Sequence, residues 1–251
     1  MSDTLFYCGL SGLVLPVPNK QAFPEAFREA SRLQYYASLF NSIEVNSSFY
    51  KVPMPATFRK WSLDVPDDFV FTVKLNRDIT HAKALAYKEA DVTRFMQAAN
   101  ETGNKKGCLL VQFPASITDE YYEEVDLLLH RLQQHNQTGK PWQIAVEFRN
   151  SRWYNKQVYA MLDEHKACMV LHDMSNSATA VLNKKAGVAY FRFHGPEKGY
   201  RGSYSNDVLK RYAALIQQQL LRGRQVFAYF NNTLGDAIGN LYTLRDMVAA
   251  D

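Results

Sequence analysis

Apolar and polar positions alternate along eight short runs of the chain, at 5–9, 42–46, 69–76, 108–113, 143–149, 168–172, 188–194 and 226–231. Each run is rich in β-branched and aromatic residues, the pattern of a strand with two distinct faces. Longer stretches with helical periodicity fall between them. The stretch 24–40 carries Phe27, Leu33, Tyr36 and Phe40, and 89–102 is stopped by Gly103. The stretch 119–135 lines up Tyr122, Val125, Leu128, Leu129 and Leu132, and 155–165 follows the fifth strand. The stretch 206–221 ends at Arg222-Gly223, and 234–248 closes the chain. Strands alternating with helices predict βαβ units and a parallel sheet. Eight of them in 251 residues predict a single-domain (β/α)8 barrel over 1–251 rather than an open sheet. The segment 173–187 is short and polar, so the unit between strands six and seven is expected to be degenerate.

Side chains alternate across a strand, so each run divides into two faces. Ile43 and Val45 oppose Glu44 and Asn46, and Phe71, Val73 and Leu75 oppose Thr72, Lys74 and Asn76. Val111 and Phe113 oppose Gln112, Val146 and Phe148 oppose Glu147 and Arg149, and Phe191 and Phe193 oppose Arg192 and His194. The uniformly apolar face must meet the helices, which turns the other face into the barrel. That inner face becomes polar towards the C-terminal strand ends, where barrel enzymes keep their active sites. The expected mouth therefore holds Glu44, Asn46, Lys74, Asn76, Gln112, Glu147, Arg149, Arg192 and His194, with His172 and Asn231-Asn232 on the flanking strands. The alternative is an interior plugged by ion pairs of Glu44 or Glu147 with Lys74, Arg149 or Arg192, although buried ions carry a desolvation cost.

Composition narrows the function classes. The hydrophobic fraction of 47% suffices for a full core, and the charged fraction of 22% argues against disorder. The net charge of +4 is spread in short pairs such as Lys105-Lys106 and Lys184-Lys185, not gathered into a nucleic-acid stripe. Cys8, Cys108 and Cys168 sit in apolar runs without a C-x-x-C motif, and so are expected to be buried thiols in a reducing compartment. Met1-Ser2-Asp3-Thr4 opens no signal-peptide pattern, and no apolar run has membrane-spanning length. A cytoplasmic location without a membrane partner is the expectation. Phosphate fingerprints are absent: Gly9-Leu10-Ser11-Gly12 is too short for a P-loop, and no G-x-G-x-x-G opens a helix.

Several ordered segments carry a resemblance. They are Asn41-Ser42-Ile43-Glu44-Val45-Asn46-Ser47-Ser48-Phe49-Tyr50, Lys74 followed by Ile79-Thr80-His81, Val111-Gln112-Phe113-Pro114, Glu147-Phe148-Arg149 with Trp153, Phe193-His194-Gly195, and Tyr229-Phe230-Asn231-Asn232. Together they resemble the YecE-like family of barrels, a domain of unknown function, over nearly the whole chain. The resemblance implies a TIM-type barrel and brings no reaction with it. The chain departs from the family pattern at Leu13, where the family usually has tryptophan, and at Arg152, where serine is common.

The expected chemistry follows from the mouth residues. Glu147 and Glu44 are candidate acid and base, with His194 assisting. Lys74, Arg149 and Arg192 suit an anionic group, and Lys74 could also form a Schiff base. Asn46, Gln112 and Asn231 would fix orientation, with His81 and Trp153 completing the binding set. Phe49, Tyr50, Trp153, Tyr200 and Tyr204 could stack a sugar or a base, or simply pack over the barrel top. No cofactor is expected. A divalent metal could be drawn from Glu44, Glu147, His172, Asp173 and His194, but Asp173 is out of phase with His172 and no H-x-x-E-H spacing occurs. The leading expectation is an enzyme of acid/base type, a hydrolase, lyase or isomerase, acting on a small polar, anionic or sugar-like substrate. The alternative is a non-catalytic module binding nucleic acid or an anionic metabolite. A third reading is a scaffold whose mouth is sealed by ion pairs.

Overall fold

The alternating runs become strands β1 (Phe6–Leu10), β2 (Ser42–Val45), β3 (Val70–Lys74), β4 (Lys106–Phe113), β5 (Gln143–Phe148), β6 (Cys168–His172), β7 (Val188–Phe193) and β8 (Gln225–Phe230). In this computed structural model, which describes residues 5–136, 139–179 and 181–250, they form one parallel sheet in the order β1-β8-β7-β6-β5-β4-β3-β2. The tetrapeptide Met1-Ser2-Asp3-Thr4 lies outside the described residues.

Among the described residues the helices are α1 (Arg32–Leu39), α2 (Ser47–Tyr50), α3 (Pro55–Leu63), α4 (Arg77–Thr80), α5 (Glu89–Asn100), α6 (Tyr122–Gln134), α7 (Lys156–Glu164), α8 (Asn206–Leu221) and α9 (Ala237–Ala249). The helix expected over 24–40 is shorter than its pattern. Residues 20–27 make two isolated 3-10 turns. The α-helix begins only where Ser31 and Gln34 close a capping box, with Ser31 Oγ accepting from Gln34 N at 3.1 Å and Gln34 Oε1 from Ser31 N at 2.7 Å. Helix α3 lies in a stretch to which the sequence pattern assigns no element. Pro55 occupies the first turn, where a proline costs no hydrogen bond. Between β6 and β7 no helix forms among the described residues, as the polar composition of that segment predicted.

The two strand faces part into two cores. The outer one, with Ile43, Phe71, Leu109, Val146 and Phe191, packs against Val92, Phe95, Leu128, Leu162 and Leu209 of the helices. The inner one fills the barrel with Val70, Leu110, Ala145, Val170, Tyr190 and Phe227. Tyr229 adds a buried hydroxyl 2.5 Å from Ser42 Oγ and 2.8 Å from Thr72 Oγ1. Cys8, Cys108 and Cys168 are buried and free, and burial pushes the Cys8 and Cys168 thiols up to about 12.

The barrel closes between β1 and β2, where the ladder is nearly replaced by side chains. One backbone bridge joins Ser11 to Glu44, with Gly12 N donating to Glu44 O at 2.8 Å. Below it Asn41 imitates a strand. Its Oδ1 accepts from Cys8 N at 3.0 Å and its Nδ2 donates to Phe6 O at 2.9 Å. The Tyr36 hydroxyl accepts from Leu10 N at 2.8 Å and donates to Ser42 O at 3.1 Å. Gly9 is required at this seam, because a Cβ there would lie 2.0 Å from Ser42 O.

Candidate functional site

Register places Glu44 on β2, Glu147 on β5 and Arg192 on β7 with their side chains directed inwards at the C-terminal ends. All three are buried. Arg192 is the hub. Its Nη2 donates to Glu44 Oε1 at 2.7 Å, its Nε to Glu44 Oε2 at 2.9 Å, and its Nη1 to Glu147 Oε2 at 2.9 Å. Tyr190, two residues earlier on the same inner face, donates its hydroxyl to Glu44 Oε2. Arg149, just beyond β5, ion-pairs through Nε with Glu147 Oε1. The pairing envisaged for Glu44 and Glu147 is therefore present with both arginines. Lys74 stands outside it: no ion pair joins it to either carboxylate among the described residues.

These contacts fix the charge states. Burial alone would push the Glu44 carboxyl up, but the charge and hydrogen bonds of Arg192 outweigh it and hold the group below the usual carboxylate range. Glu147 meets the same burial and lies between Arg149 and Arg192, which hold it well below that range. Such carboxylates stay ionised at neutral pH, which makes them weak proton donors and weak bases. His194 packs over this pair with Nε2 3.5 Å from Glu147 Oε1 and 3.2 Å from Arg149 Nη2. Its Nδ1 lies 3.1 Å from Asn231 Nδ2. Burial brings His194 down to about 4 against the pull of Glu147, so the ring is neutral at pH 7.

The Lys74 Nζ lies 4.1 Å from the centre of the Phe49 ring, and His81 packs edge-on against the same ring at 4.9 Å. Lys74 is half-buried. Burial first, and then the charge of Arg192, bring its ammonium down to about 8. Burial, with Lys74 next, brings His81 down to about 4. Gln112 stands beside Glu147 in register and donates its Nε2 to Phe113 O at 3.0 Å.

Two expected binding residues lie elsewhere. Trp153 is fully buried outside the barrel, stacked on Phe148 at 4.3 Å with its Nε1 donating to Ile117 O at 2.8 Å. Its role is packing, which corrects its place in the mouth. Asn46 leaves the strand alternation, because its backbone is already helical at the start of α2. It lines a cavity of about 210 Å³ with Leu13, Leu33, Trp61 and Phe71, between β2 and the helix layer, and its buried Oδ1 has no partner. Leu13, the departure from the family pattern, therefore borders an empty volume.

Other participants gave less signal in the sequence. Tyr190 could have been found from its inner phase on β7. Tyr154 could not: it lies beyond β5, with its hydroxyl 2.5 Å from Ser177 O and 3.2 Å from His172 Nε2. Asp173 points away from the barrel, as its phase requires, and accepts from His194 N at 2.8 Å and from the Tyr204 hydroxyl. Gly195, with φ of 100°, leaves room for the Arg201 carbonyl, which would lie 2.3 Å from a Cβ.

Glu147, His172 and His194 place potential ligand atoms within 4.8 Å of one another. Two guanidiniums already engage Glu147, and His172 Nε2 sits 3.2 Å from Phe148 O. A cation here would have to displace Arg149 and turn His172. The donor set thus fits a metal poorly as it is arranged.

Fold and site together define a (β/α)8 barrel protein with a charged, internally paired mouth. The chain belongs to the family described as protein of unknown function DUF72, whose model matches residues 7–251. It is 26% identical over 267 residues to the UPF0759 protein YunF of Bacillus subtilis, covering 94% of this chain and 92% of that protein. It is 32% identical over 124 residues to the UPF0759 protein YecE of Escherichia coli K12, covering 49% of this chain and 43% of that protein. A DUF72 family protein from Enterococcus faecalis V583 superposes with a TM-score of 0.80 at 20% identity, covering 97% of this chain and 95% of the other. One from Thermotoga maritima MSB8 gives 0.72 at 24% identity, covering 98% and 99%. These structures share the fold. No helix among the described residues is long and apolar enough to cross a membrane.

Proposed function

We propose that this protein is an enzyme acting on a small anionic substrate at the C-terminal mouth of the barrel. One observation supports the reading above the rest. Glu44 and Glu147 neutralise Arg192 and Arg149, which leaves Lys74 as a half-buried cation without a carboxylate partner among the described residues. The mouth thus carries one positive charge in excess, held where little water screens it. An anionic group docking there recovers the interaction that the protein itself does not satisfy.

The roles follow from the charge states. Glu44 anchors Arg192 and is a positioning residue. Glu147 holds Arg149 and His194 in place. The neutral His194 offers a ring nitrogen as a hydrogen-bond partner to the bound molecule, with Asn231 setting its ring orientation. Arg149, partly exposed, and Lys74 bind the anion. Gln112, in register beside Glu147, and His81, against the same Phe49 ring as Lys74, flank these groups.

The test is a panel of small carboxylates and phosphates followed by thermal shift and calorimetry. Saturable binding that is lost in Lys74→Ala and Arg149→Ala is the expected result. Binding of single-stranded nucleic acid that weakens steeply with salt, with no small anion bound, would instead support the non-catalytic module. Elemental analysis of protein purified without added metal, compared with His172→Ala, tests for a cation on the Glu147–His172–His194 trio.

A further inference from the structure

Resting on the reading that the mouth takes a small anion, we propose that the Lys74 amine is a nucleophile that condenses with the carbonyl carbon of a bound aldehyde or keto acid. Three features of the geometry support this. Lys74 is the last residue of β3, so its amine is delivered to the mouth by a rigid strand. Among the described residues no carboxylate holds it as an ion pair, and its Nζ lies 4.1 Å from the centre of the Phe49 ring, a neighbour that does not take up the nitrogen lone pair once the proton is lost. Burial, and after it the charge of Arg192, discourages protonation, and the arginines can hold the carboxylate of a keto acid.

The step balances without a further reagent. The neutral Nζ attacks the carbonyl carbon, a C–N bond forms, the C=O π bond breaks, and one Nζ proton passes to the oxygen to give a carbinolamine. The second Nζ proton then passes to the hydroxyl, which leaves as water as the C–O bond breaks, and a C=N bond remains. Water reverses the sequence. A second consequence is selectivity. With an ordinary lysine near 10.4 and Lys74 near 8, the neutral fraction of Lys74 at pH 7.5 is roughly 200-fold larger. A lower basicity also lowers intrinsic nucleophilicity, so the rate advantage should be smaller, at least about tenfold.

The experiment is reductive trapping of the full-length protein with pyruvate and cyanoborohydride at pH 7.5, followed by intact mass and peptide mapping. One reduced adduct per chain, located at Lys74 and absent from Lys74→Arg, is the expected result. Adducts spread over surface lysines, with Lys74 no faster than they are, would overturn the proposal. This comparison is made within the wild-type protein, so it does not depend on the folding of any variant. Pyruvate is also titrated without reductant against the wild type and Arg149→Ala. If pyruvate stabilises the wild type and not Arg149→Ala while no Lys74 adduct forms, the imine is refuted and the anion site stands. If pyruvate neither binds nor reacts, both the imine and its binding at this mouth are refuted.

Discussion

Replacing Arg192 by methionine removes the centre of the buried network and keeps most of its volume. The guanidinium is 1% exposed and makes close contacts to two carboxylates that are themselves fully buried. Glu147 would keep Arg149, but Glu44 would keep the Tyr190 hydroxyl and, among the described residues, no ion-pair partner. Breaking a buried pair by removing one partner costs about 3–5 kcal/mol. That is a large share of the ~5–15 kcal/mol that holds a domain folded. Glu44 would respond by taking up a proton, since burial without Arg192 favours the neutral acid. Its folded-state pKa would then lie above the unfolded value, so the folded variant would bind more protons than the unfolded chain. The variant should therefore regain stability as pH falls from 7 towards 5, the opposite of the wild type, whose depressed Glu44 and Glu147 lose their contribution as pH falls below the usual carboxylate range. Urea melts at pH 7 and pH 5, repeated with Arg192→Met/Glu44→Gln, read both effects. A loss below about 1 kcal/mol at pH 7, or no recovery with Glu44→Gln, would refute the argument that an uncompensated Glu44 charge dominates.

Other outcomes follow from single contacts. Tyr36→Phe strands Leu10 N and Ser42 O at the seam and should cost about 2–4 kcal/mol by urea melt; a change within error would show that water replaces the hydroxyl. Folding lowers the proton affinity of Lys74 from the ordinary 10.5 to about 8, so the unfolded chain binds more protons between those values, and stability rises with pH across that window. Lys74→Met should accordingly be more stable than wild type at pH 7, by up to about 3 kcal/mol, with the advantage shrinking from pH 8 to 10.5; destabilisation at pH 7 would contradict it. Trp153→Ala should cost about 3–5 kcal/mol and leave anion affinity at the mouth unchanged, whereas a matching loss of affinity would return Trp153 to the site. Leu13→Trp should fill part of the 210 Å³ cavity and raise the melting temperature by a few degrees, on the order of 1 kcal/mol; a lowered melting temperature would show that the volume cannot take the indole.

The barrel was legible because two periodicities coincide in it. The period of two along Glu44–Asn46 or Tyr190–His194 separates core from mouth, and the helical period of 122–132 marks a buried stripe, so Glu44, Glu147, Arg192 and His194 could be brought together from phase alone. Phase fails where the strand has ended. Asn46 is already helical and turns aside, and Trp153 lies in a 3-10 turn whose direction no alternation fixes. Nor does phase reveal pairing. It sets Lys74 at the C-terminal end of β3 but could not show that both carboxylates would be taken by arginines, which leaves that amine without an ion pair among the described residues. Tyr154 reaches His172 through tertiary packing alone, and nothing within its own segment signals it.

The seam between β1 and β2 bears on how the protein is made. In most βαβ chains the first strand finds its neighbour in the next one to leave the ribosome. Here, among the described residues, one backbone bridge from Ser11, just beyond β1, and the side chains of Tyr36 and Asn41 hold it to β2, while its full ladder runs to β8, more than 200 residues later. During synthesis the first strand therefore waits, apolar and unpaired, for the last one to emerge, and loop closure over that span is slow. A nascent chain halted before residue 225 should expose Phe6–Leu10 to chaperones or proteases, and release of β8 should protect it at a stroke.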